Sequence, residues 1–134
     1  MIVLIFGPSR SGKTALAQEI VRRSDAIYIS DEDAKSITNY DAQSVEELAR
    51  ITGAIARLIS RQGKSVVVDL ECSTAKIREA FGKSDYRVWM DRAKGVQEEH
   101  WQEPRSEDYD IKINSGITVE QECDFFFEKL MARK

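Results

Sequence analysis

Eight consecutive residues carry the clearest chemistry in this sequence: Gly7, Pro8, Ser9, Arg10, Ser11, Gly12, Lys13 and Thr14 match the pattern G-x-x-x-x-G-K-[ST] in full. A loop of this spacing between a strand and a helix turns its backbone N–H groups inward around a phosphate, as an ATP phosphate would require. The glycines permit unusual φ values and close approach of the anion. Lys13 brings a point charge to the β- and γ-phosphates, the Thr14 hydroxyl is a ligand for Mg²⁺, and the positive end of the following helix points at the same anion. Arg10 lies inside the loop, where it either touches phosphate or faces solvent.

Phosphoryl transfer also needs carboxylates that hold Mg²⁺ or orient the attacking hydroxyl. Ser30-Asp31-Glu32-Asp33 follows an apolar run, and in an extended segment Asp31 and Asp33 point the same way. Asp is equally favoured in a loop that opens a helix. Val66-Val67-Val68-Asp69 is a hydrophobic run ending in an acid, like a Walker B segment, and makes Asp69 a candidate for the Mg²⁺ shell. Arg78, Arg87, Arg92, Lys94 and Arg105 are candidate phosphate clamps, with Arg92 and Lys94 favoured by their place just past a strand end, although each taken alone reads first as a surface charge. His100 is the sole histidine and has no visible nucleophile partner, so it reads as a surface residue. Cys72 reads as a small buried residue near the cleft, Trp89 as core, and Trp101 as a side chain able to shape a binding wall.

The elements that must position these residues follow from hydrophobic periodicity. Ile2–Phe6, Ala26–Ile29, Ser65–Leu70, Tyr86–Met90 and Tyr109–Ile113 read as strands. Helical spacing runs from Lys13 to about Arg23, through Leu48, Ile51, Thr52, Ile55, Leu58 and Ile59, near Thr74–Phe81, and through Val119, Cys123, Phe126, Phe127 and Leu130. Ser44 and Glu47 have the spacing of a capping box, and Gly63 ends the same helix. Ser30–Gln43 is a polar stretch, and 91–108 is polar without a clear pattern. Strands alternating with helices predict an α/β fold: a five-stranded parallel sheet with helices on both faces. Sites in such folds lie beyond the carboxyl ends of the strands.

Composition narrows the function classes. With 134 residues, one domain over 1–134 is expected. The net charge of −3 disfavours a general nucleic-acid coat or an anionic-membrane binder. Two cysteines without CxxC spacing exclude a disulfide scaffold, and the apolar run Met1–Phe6 is too short to span a bilayer. These features predict a soluble cytoplasmic protein.

Beyond the loop, further segments have counterparts in a known family. Asp31-Glu32-Asp33 resembles an Asp-Gly-Asp motif after the second strand, Ser73 with Arg78 resembles a Ser-Pro motif with a later arginine, and Trp101-Gln102-Glu103-Pro104 resembles a Tyr-Glu-x-Pro segment. Val88-Trp89-Met90-Asp91 and Asn114 with Val119-Glu120 have similar counterparts. On these residues the chain resembles P-loop kinases, and most closely a short, phage-like adenylylsulfate kinase. The resemblance implies a P-loop NTPase or nucleotide-kinase-like fold and transfer of the ATP γ-phosphate to a hydroxyl. ATP would lie on Gly7–Thr14 with Arg92 and Asn114. Mg²⁺ would meet Thr14, Asp31 and Asp69, while catalysis would rest on Lys13, Asp31 and Asp33. Ser73, Arg78 and Lys94 would face the acceptor. The family's Phe-Ser-x-x-x-Arg is absent, Ser44 being followed by Val45-Glu46-Glu47-Leu48, and its lid is reduced to Asp91–Val96. Adenylylsulfate, a nucleoside, a nucleotide or a polynucleotide end therefore all stand as acceptors, beside a nucleotide-binding module with little catalysis.

Overall fold

The computed structural model describes residues 1–38, 45–91, 101–114 and 117–132. Five strands, β1 (Ile2–Phe6), β2 (Ile27–Ile29), β3 (Val66–Leu70), β4 (Tyr86–Met90) and β5 (Ile111–Ile113), form a parallel sheet in the order β2-β3-β1-β4-β5. The helices are α1 (Lys13–Arg22), α2 (Asp31–Thr38), α3 (Val45–Arg61), α4 (Ala75–Phe81) and α5 (Val119–Ala132), with a 3₁₀ turn at Ser106–Asp108.

Both faces of the sheet are covered, which is why β1 and β3 are buried at every position rather than at alternate ones. Ile2, Leu4, Phe6, Val66, Val68 and Leu70 pack with Ala49 and Ala56 of α3 and Ile77 and Phe81 of α4. Val3, Ile5, Val67, Val88 and Met90 pack on the other face with Leu16 and Ile20 of α1 and Cys123 and Phe126 of α5. Strand alternation therefore sends Asp69, two residues after Val67, toward the α1 face.

Three local expectations are corrected by the packing. The polar stretch after β2 is not extended: Ser30 caps α2 by accepting from the Asp33 N–H at 3.0 Å, while Asp33 Oδ2 accepts from the Ser30 N–H at 3.1 Å. In this reciprocal box Asp31 and Asp33 sit about 200° apart around a helix, so they do not point the same way. In α3 the buried face is Leu48, Ala49, Thr52, Gly53 and Ala56, and Leu58 is exposed. Small residues are required there because a Cβ on Gly53 would lie 1.9 Å from the Phe81 carbonyl oxygen of α4. The last strand is shorter than its alternation predicts: Tyr109 is the C-cap of the 3₁₀ turn, and the Asp110 carboxylate accepts from the Arg87 N–H.

Gly63 ends the α3 segment with φ +87°, as expected. Arg92, Lys94, His100 and Ser44 lie outside the described residues. No helix among the described residues is long and apolar enough to cross a membrane.

Candidate active site

The loop between β1 and α1 lies at the carboxyl edge of the sheet and is shaped by steric demands. A Cβ on Gly7 would come 2.7 Å from the Met90 carbonyl oxygen and 2.9 Å from Ser11 Oγ, so the first position admits glycine alone. Gly12 caps α1 in the left-handed region at φ 92°, and Arg10 also adopts a positive φ of 63° with its side chain exposed. Above this loop lies an open depression of about 440 Å³ lined by Arg10 to Ala15 and Gln18, at the N-terminal end of α1. Ser11 Oγ is buried and without a hydrogen-bond partner there. An orphaned hydroxyl, the orphan N–H groups of a helix start and a lysine make a seat for an anion. Lys13 is itself mostly buried and donates to the carbonyl oxygens of Gly7 at 2.9 Å and Pro8 at 2.7 Å, folding its ammonium across the loop.

Behind the loop, β3 delivers Asp69, 1% exposed and paired in register with Ile5. Its Oδ2 accepts from the Tyr28 hydroxyl and, at 3.5 Å, from Thr14 Oγ1. Burial raises the Asp69 carboxyl above its ordinary value, against the opposing effects of Tyr28, Lys13 and Thr14. Burial first, then the bond to Asp69, raises the Tyr28 phenol as well. Thr14 and Asp69 are hard oxygen donors side by side. No group of three or more metal-ligating acids, histidines or cysteines occurs among the described residues. That donor set fits Mg²⁺, which takes one or two protein oxygens and completes its shell with waters and substrate phosphates.

On the opposite face of β3 is a smaller pocket of about 100 Å³. Val45, Leu48, Ala49, Leu70 and Ile77 supply its apolar wall, with Asp31, Lys35 and Glu71 as its charged lining. Asp31 pairs with Lys35 at 3.0 Å. Cys72, also in the lining, is buried with its thiol pushed up to about 12 by burial, so it is no nucleophile at neutral pH.

The predicted residues thus separate into groups. Lys13, Thr14 and Asp69 converge on the loop, and Asp31 lines the small pocket. Asp33 has its carboxylate on the Ser30 backbone. Arg78 is 2% exposed, donates to the carbonyls of Cys72 (2.9 Å), Ser73 (3.4 Å) and Gln102, and lies between the Phe6 and Trp101 rings. Ser73 accepts from the Gln102 N–H at 2.7 Å, joining the same seam. Arg87 donates to Ser84 Oγ and to the carbonyls of Gly82 and Arg78, and Arg105 is exposed beside Glu107. Asn114 follows β5 at an exposed position. Trp89 is core, while Trp101 packs on Arg78 instead of lining either cavity.

Sequence reasoning missed Tyr28 and Glu71. Strand alternation held a signal for Tyr28, which pairs in register with Val67 on the Asp69 face; the signal for Glu71 was its place directly after the carboxyl end of β3.

The order β2-β3-β1-β4-β5, with a phosphate loop after β1, is the P-loop kinase fold. Among solved structures the chain is similar to an APS kinase from Mycobacterium tuberculosis in complex with AMPPNP and APS. The TM-score is 0.83 at 16% identity, over 97% of this chain and 96% of that one. It is similar also to shikimate kinase from Aquifex aeolicus, with a TM-score of 0.67 at 12% identity over 99% and 98% of the two chains. A gluconokinase from Sinorhizobium meliloti aligns with a TM-score of 0.66 at 16% identity, over 97% of this chain and 91% of its own. No family model and no curated protein matches the sequence.

Proposed function

We propose that residues 1–134 form one ATP-dependent phosphotransferase domain that moves the γ-phosphate of Mg²⁺–ATP to a hydroxyl of a small molecule in the cytoplasm. The observation that carries this reading is the meeting of Lys13, Thr14 and buried Asp69 at a phosphate loop whose neighbouring pocket presents Asp31. The kinase folds it resembles, one of them holding AMPPNP, support it.

Gly7, Pro8, Ser9, Arg10, Ser11 and Gly12 would wrap the phosphates, and Lys13 would leave the Gly7 and Pro8 carbonyls to neutralise charge on the transferred group. Thr14 and Asp69, aided by Asp31, would hold Mg²⁺, which supplies charge neutralisation between the β- and γ-phosphates. Asp31 orients the acceptor hydroxyl, and Asp33 supports it by capping the helix that carries it. Arg92 and Asn114 are assigned to the nucleotide and Lys94 to the acceptor from the sequence resemblance. Ser73 and Arg78 act from the seam beside the acceptor pocket. Adenylylsulfate is the leading acceptor on the same resemblance, ahead of a nucleoside, nucleotide or polynucleotide end.

The test is ADP release from Mg²⁺–ATP with adenylylsulfate, then a panel of nucleosides, nucleotides and 5′-hydroxyl oligonucleotides, with Lys13→Ala as control. One acceptor should raise the rate, and Lys13→Ala should lower it by about 10²–10³-fold, the loss typical of a transition-state charge donor. Nucleotide binding with no ADP release for any acceptor would instead identify a nucleotide-binding module.

A further inference from the structure

Glu71 lines the small pocket and is bonded to the loop between β1 and α1. Its backbone carbonyl accepts from the Gly7 N–H at 3.3 Å, at the start of the phosphate loop. Its side chain accepts from the Ser9 hydroxyl at the middle of that loop, and the same residue lines the small pocket opposite Asp31. Main chain and side chain therefore tie Glu71 to the loop from two sides, at the seam where pocket and loop meet. A hydroxyl attacking a γ-phosphate must come to about 3–3.5 Å from phosphorus, and Glu71 is the pocket-lining carboxylate bonded to the loop. Of the other carboxylates, Asp31 pairs with the Lys35 ammonium, Asp33 accepts from the Ser30 N–H, and Asp69 accepts from the Tyr28 and Thr14 hydroxyls on the opposite face of β3. Glu71 forms no ion pair among the described residues, its side-chain partner being the neutral Ser9 hydroxyl, for which a bound phosphate would compete.

We propose that Glu71 is the proton-accepting carboxylate for the acceptor hydroxyl, with Ser9 holding it in place until nucleotide arrives. This rests on the phosphotransferase reading above. In the step, the acceptor O–H proton passes to a Glu71 carboxylate oxygen as the acceptor oxygen forms its bond to the γ-phosphorus. The bond from that phosphorus to the β-phosphate bridging oxygen breaks with its electron pair, ADP departs, and Glu71 returns the proton to solvent.

The experiment compares wild type, Glu71→Gln, Glu71→Asp and Asp33→Asn in the full chain. It reads ADP release with water as the sole acceptor and with the best acceptor of the panel, together with affinity for a fluorescent ATP analogue and a melting temperature. Glu71→Gln should lower kcat by about 10²-fold on both routes, the size of a lost general base. Its nucleotide Kd should be no weaker than wild type, since a negative charge beside the phosphates is removed. Glu71→Asp should recover part of the rate. Glu71→Gln within threefold of wild type, or a loss confined to nucleotide affinity or melting temperature, overturns the proposal. If Asp33→Asn proves the inactive variant and Glu71→Gln does not, the role belongs to Asp33. A wild type that binds nucleotide yet releases no ADP by either route refutes the phosphotransferase reading, and Glu71's role with it. That failure appears in the wild type rather than in the variant.

Discussion

Asp69→Asn should make the protein more stable and nearly inactive. The carboxylate is 1% exposed and is served by two hydroxyls, one of them at 3.5 Å, with the Lys13 charge farther away. Burial outweighs those partners and raises its pKa, so the folded protein carries the charge at a cost. Asparagine keeps the shape and an acceptor for Tyr28 while removing the ion. Exchanging a buried ion for a neutral group gains up to about 1–4 kcal/mol, and with the Tyr28 bond kept we expect about 1–2 kcal/mol. In a chain of this size that is a rise in Tm of roughly 3–10 °C. The sign with pH follows from linkage. Above the ordinary value of 3.8 the unfolded carboxyl loses its proton while the folded one retains it, so wild-type stability falls as pH rises through that interval. The advantage of Asp69→Asn is therefore full above the folded pKa and closes as pH falls toward 3.8. Thermal melts at pH 7.5 and 4.5, with ADP release measured alongside, test both halves. A lower Tm for Asp69→Asn at pH 7.5, or an equal offset at both pH values, would show that the charge stabilises the fold and would refute the argument.

Gly53→Ala should lower stability by about 2 kcal/mol despite alanine's helix propensity, because its Cβ would meet the Phe81 carbonyl at 1.9 Å and force α3 off α4; denaturant titration reads this directly. Arg78→Leu should cost about 3 kcal/mol by leaving the Cys72 and Gln102 carbonyls without their donor. Unchanged stability with a raised acceptor KM would instead make Arg78 a substrate contact.

Much of the fold was legible because its signals are local. Continuous apolar runs at 2–6 and 66–70 declare strands buried on both faces, and the loop pattern at 7–14 carries its own backbone chemistry. Helix α2 was not legible, since its residues are polar and its start depends on a cap at Ser30 that polar residues in a turn imitate. The directions of the arginines were not legible either. Charge in a sequence does not show direction, and Arg78 and Arg87 turn inward to satisfy backbone carbonyls.

The sequence by itself determined the order of the five strands and of helices α1, α3, α4 and α5, the glycine-rich loop pattern at 7–14 and the acid near the end of β3, because each depends on neighbours in the chain. Only the tertiary structure decided which carboxylate meets which partner. Asp69 reaches Thr14 across 55 positions and Tyr28 across 41, and Glu71 reaches Ser9 across 62. Those distances are closed by the sheet order that places β3 between β1 and β2, a packing outcome to which no single segment holds the key.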